Sequence, residues 1–170
     1  MAALIDALQL DLALRIAVAF LFGAVVGVER ERWAKAAGLR THMLVAGGAA
    51  IFTVASAHLF INPGGQSDPG RVAAQIVTGI GFLGAGAIIR SSGSVSGLTT
   101  AATIWVAAGL GMLAGLGAYG LAAVSVVCTM IALVLPHKWI RRGRRRSVDD
   151  EDHYWPINSR ERNDSADDEP

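Results

Sequence analysis

Charged side chains are scarce in the middle of this 170-residue chain. Between Thr41 and Pro136 only Asp68, Arg71 and Arg90 are expected to be ionised. Each is therefore a candidate for chemistry. Asp68 stands in "SDPGRVAAQ", immediately before Pro69. A carboxylate at the N-cap followed by proline at the first helical position is a helix start, and it puts Arg71 and Gln75 one and two turns further in. Two readings stay open. Asp68 can serve as a cap with a surface ion pair to Arg71, or Asp68, Arg71 and Gln75 can form a polar vestibule that draws a divalent cation. One carboxylate is too few for a dedicated magnesium cage.

Other polar groups sit at the edges of apolar stretches. In "GVERERWAKAAGLRTHML" the acids and bases alternate, so that Glu29 reaches Arg32 and Glu31 reaches Lys35 if a helix runs on. Gly38 can end such an extension and Thr41 can cap the next helix, leaving His42 at its border and His58 too far along to join it. Asp11 and Arg15 are four residues apart in the favourable acid-first order, which fits a structural pair with snorkelling of Arg15 or a role in a charged intramembrane site. In "SSGSVSGLTTAATIW" Ser96 can cap a helix whose first turn holds Thr99 and Thr100. Unpaired amides there can receive an anion, or the hydroxyls can bond back to their own helix. The single cysteine, Cys128, excludes an internal disulfide and is expected as a small buried apolar residue. The chain has no CxxC, HExxH, Walker loop or GxSxG. The expectation is a protein that is not an enzyme and holds no cofactor and no resident metal.

The elements that must position these groups are apolar. A helix rises about 1.5 Å per residue and needs roughly 20 apolar residues to cross a membrane. Five stretches fit: Leu8 to Val28, Met43 to Ile61, Val72 to Ile89, Leu98 to Leu116 and Ala118 to Leu135. With 52% hydrophobic and 17% charged residues, the predicted fold is an all-α integral membrane protein of about five transmembrane helices. Arg30, Arg32, Lys35 and Arg40 crowd the first loop and "HKWIRRGRRR" opens the tail. That bias places the N-terminus outside and the C-terminus in the cytoplasm. Residues 1–136 read as the transmembrane domain. Residues 137–170 read as a cytoplasmic tail, basic and then acidic, with too little apolar surface to order after about Ser147. Trp33 and Trp139 are expected at one lipid interface and Tyr119 at the other. The basic run faces anionic lipid, and no nucleic-acid partner is expected.

Glycine is the second pattern, with 20 in the chain. Gly23 with Gly27, and Gly111 with Gly115, are GxxxG pairs suited to close helix packing. Gly79, Gly81, Gly84 and Gly86 leave much of the third helix without side chains. They predict either tight packing or a local break beside a polar cavity.

Three segments carry a resemblance: "GVERERWAKAAGLRTHMLVAGGAAIFT", "DPGRVAAQIVTGIGFLGAGAII" and "GLTTAATIWVAAGLGMLAGLG". Together, over residues 8–135, they resemble the MgtC/SapB family of bacterial inner-membrane proteins. The resemblance implies a signature of Glu29, Arg30, Gly38, Leu39, Arg40 and Thr41, then Asp68, Arg71, Gln75 and the Gly79 to Gly86 cluster, then Gly97, Thr99, Thr100, Ala101 and Trp105. It also implies a regulator of other membrane machinery linked to magnesium homeostasis or virulence-type adaptation. Virulence-type members add a cytoplasmic domain and place Asn at Thr99 and Cys at Val106. This chain is similar to the shorter, SapB-like branch. The alternative is an oligomeric channel or transporter for magnesium or protons. The expected partners are membrane lipid, other copies of the chain and other inner-membrane proteins.

Overall fold

A computed structural model describes residues 2–58, 69–91 and 94–147, with side chains over 6–58, 70–90 and 94–135. Its elements are α1 (Ala2–Arg32), α2 (Leu39–His58), α3 (Pro69–Gly86), β1 (Ile89–Ser91), β2 (Ser94–Ser96), α4 (Leu98–Gly115) and α5 (Tyr119–Ser147). The protein is an all-α membrane protein. Stretches Asp6–Arg32, Leu39–His58 and Leu98–Gly115 are long and apolar enough to cross a membrane, and α5 is apolar over Tyr119–Leu135. Two compact units divide the chain, residues 1–132 and 133–170. Asp68, Trp139 and the tail after Ser147 lie outside the residues described here in side-chain detail.

In the first unit α1, α2 and α4 pack on one another, and α3 lies against α4. Small residues set this arrangement. Ala19, Ala46, Ala50, Ala107 and Ala114 are fully buried, so the helices meet with little between their backbones. A Cβ on Gly23 would lie 2.5 Å from the His42 carbonyl oxygen, and one on Gly27 would lie 2.7 Å from Leu39 Cα. Gly111 faces the Ala46 carbonyl, and a Cβ on Gly115 would stand 3.0 Å from that of Ala50. The two GxxxG pairs therefore form the seams of α2 with α1 and with α4.

The third-helix glycines divide differently. Gly84 faces Ala101 of α4 at ordinary contact distance, whereas Gly79, Gly81 and Gly86 meet no neighbour among the described residues. Their packing role within one chain is not realised. The helix continues unbroken through all of them to Gly86.

Several boundaries move from the sequence-based expectation. The third span stops at Gly86, short of Ile89, because Ile89 pairs with Ser96 in an antiparallel hairpin. Helix α1 stops at Arg32: the Lys35 amide donates to the Arg30 carbonyl and the Ala34 amide to that of Glu31, with Ala34 left-handed at φ 49°. This Schellman closure removes the helical extension on which a Glu31–Lys35 pair depended. Gly38 consequently precedes α2 and does not end α1. Helix α4 is preceded by Gly97 at φ 85°, with no side-chain cap, so Ser96 is not the N-cap. A side chain at Gly97 would run into the Ala87 carbonyl. Cys128 is exposed on α5 and not buried, since α5 makes few contacts with the rest of the unit.

Candidate functional site

Because Gly23 and Gly27 bring α1 onto the backbone of α2, the last turn of α1 is carried against the first turn of α2. Glu29 and Arg30 occupy that last turn and are only 7% and 4% exposed. Where the sequence predicts a Glu29–Arg32 pair, the structure shows a buried contact, Arg30 Nη1 to Glu29 Oε2 at 3.4 Å. Among the described residues Arg30 Nε has no hydrogen-bond partner. A guanidinium with five N–H donors and one long contact is under-satisfied, and a removed partner at either residue would leave a buried charge uncompensated.

Beside them His42 is fully buried. Its Nδ1 is 2.8 Å from the Gly38 carbonyl oxygen and its Nε2 is 3.0 Å from Thr103 Oγ1. A carbonyl only accepts, so Nδ1 carries the hydrogen. The Thr103 hydroxyl is also 2.9 Å from the Thr100 carbonyl. Its one hydrogen can serve His42 Nε2 or that carbonyl, not both, when the ring is neutral. The Gly38, His42, Thr103 and Thr100 contacts form a hydrogen-bonded chain that ties α2 to α4.

The remaining sequence candidates lie around this centre. The Leu39 amide donates to Glu31 Oε2 at 2.8 Å, so a carboxylate stands at the start of α2 in place of the expected Thr41 cap. Thr41 therefore lies inside α2, half-buried, and with Glu31, Lys35, Gly38 and exposed Arg40 it lines a shallow cavity of about 290 Å³. Thr100 is buried in the α4 seam, while Thr99 and Trp105 are exposed. Arg71 and Gln75 are exposed on α3. At the other end of the bundle Arg15 pairs with Asp11 at 2.7 Å and reaches the Gly115 carbonyl at 3.4 Å. Among the described residues no three His, Cys, Asp or Glu side chains gather as a metal site. Thr103 was not marked by any sequence pattern: nothing in one chain pairs positions 42 and 103.

The MgtC family model matches residues 16–142. The "Protein MgtC" of Salmonella typhimurium strain LT2 is 48% identical over 122 residues, 72% of this chain and 51% of that protein. The "Putative magnesium transporter YhiD" of Escherichia coli K12 is 40% identical over 132 residues, 75% of this chain and 61% of that protein. The "Protein MgtC" of Brucella abortus is 52% identical over 112 residues, 66% of this chain and 45% of that protein. The chain spans about half the length of the curated relatives it matches, and no solved structure matches it. With matched segments running from the α1 core through the Glu29, His42 and Thr103 cluster to α5, the chain belongs to the MgtC family.

Proposed function

We propose that this chain is a multi-pass inner-membrane protein that regulates other membrane proteins by helix contact, in the service of magnesium homeostasis. One observation carries the reading. Ala74, Thr78, Gly81 and Ala85 recur at helical spacing on α3, and all four are exposed. Small residues at that spacing let a second helix approach closely inside a bilayer. The α1, α2 and α4 seams already use the same device, but this face has no partner within the described residues. The basic loop after α1 and the basic run after Pro136 favour an orientation with both in the cytoplasm.

Transport of a cation is the competing reading, and it draws on the printed name of the Escherichia coli relative. The middle turns of α1, α2 and α4 hold no acidic side chain among the described residues, where a coupled transporter commonly places one. The test is growth in low magnesium of cells relying on the wild type or on Gly81→Leu. The expected result is loss of growth with Gly81→Leu at unchanged protein level. Magnesium flux through the reconstituted wild type would overturn the regulatory reading.

A further inference from the structure

Between α2 and α3 runs an open groove of about 500 Å³ whose walls include Leu44, Gly48 and Phe52 on one side and Gln75, Gly79 and Leu83 on the other. It exists because Gly48 and Gly79 lack side chains: a Cβ on either would meet nothing within 4 Å. Gln75 is the polar member of this wall. Its amide has no partner among the described residues and cannot be matched by hydrocarbon. One turn earlier on the same face stands Arg71, exposed, in the first turn of α3, where the helix dipole adds partial positive charge.

The geometry points to a binding site for one anionic phospholipid, with an acyl chain lying in the groove, the Gln75 amide at the ester level and Arg71 at the phosphate. Polarity is graded along α3 as it is along such a lipid: cation, then amide, then apolar wall. Size favours the same occupant. From Val72 to Leu83 the groove wall runs roughly 17 Å, over which a helix about 10 Å across fills on the order of 1,300 Å³. A hydrocarbon chain of about 4 Å width fills on the order of 250 Å³ over that length. The groove's volume is large enough for one such chain and smaller than the helix. This site is independent of the regulatory reading, because the Ala74, Thr78, Gly81 and Ala85 face points away from the groove wall on α3.

The experiment is reconstitution of the full chain in vesicles of equal parts phosphatidylglycerol and phosphatidylcholine, followed by mild extraction and mass spectrometry of the retained lipid. The wild type is expected to retain phosphatidylglycerol in preference to phosphatidylcholine. Gly48→Leu and Gly79→Leu, which fill the groove from opposite walls, are expected to lower retention roughly tenfold with thermal unfolding unchanged. Arg71→Ala is expected to keep lipid but lose the headgroup preference. Unchanged retention in both leucine variants, or equal retention of the two lipids by the wild type, would overturn the site. Photocrosslinking from benzoylphenylalanine in place of Phe52 gives a second reading. A lipid adduct supports the proposal, and an adduct to another copy or another protein overturns it.

Discussion

His42 Nε2 and Thr103 Oγ1 meet at 3.0 Å across 61 residues of sequence, and this contact joins α2 to α4 in the interior of the bundle. The ring is fully buried, so its second nitrogen has no water to fall back on. Thr103→Val keeps the shape and removes the hydroxyl. It should lower stability by about 1–3 kcal/mol, the cost of leaving a buried polar atom unpaired. Thr103→Ser should recover most of that loss. Thermal unfolding of the three proteins in one detergent checks both expectations.

The seam glycines and the open glycines should respond oppositely to the same added methyl group. At Gly111 it would collide with the Ala46 carbonyl of α2, whereas at Gly81 it meets nothing among the described residues. Gly111→Ala should destabilise the protein by about 1–3 kcal/mol through overpacking. Gly81→Ala should be neutral or stabilising by up to about 1 kcal/mol, the helix-propensity gain. Denaturant or thermal melts of the two variants distinguish the roles.

Ala34 closes α1 in a left-handed conformation at φ 49°, a region that costs an L-residue roughly 1–2 kcal/mol. Ala34→Gly should therefore stabilise the protein by about 1 kcal/mol, less whatever the freer unfolded chain takes back. A rise in melting temperature without a change in helix content is the expected outcome.

Among the described residues Arg30 is held by a single long contact, to Glu29. Glu29→Gln should leave the guanidinium buried without its counter-charge and cost about 3–5 kcal/mol. Replacing both, as Glu29→Gln with Arg30→Met, should be less damaging than the single change. Expression level and melting temperature of the single and double variants test this.

The helices were legible from the sequence because long apolar runs leave few alternatives in a bilayer. The four GxxxG glycines were legible because close approach demands that spacing. The hairpin was missed, although Ser92-Gly93 between Ile89 and Val95 is a turn signal between β-formers; the apolar run of the third span masked it. The end of α1 was missed because Ala34 carries no glycine signature for a left-handed closure. Burial of Glu29, Arg30 and His42 depends on which helices meet at their level, and that is decided by contacts far apart in sequence.

The most direct measurement is photocrosslinking in the membrane from benzoylphenylalanine in place of Ala85, on the open small-residue face of α3, in cells grown in low and in high magnesium. A distinct membrane protein captured under one condition, and lost when Gly81→Leu is added, is the expected result. Recovery of the same lipid adducts alone under both conditions would contradict the regulatory role.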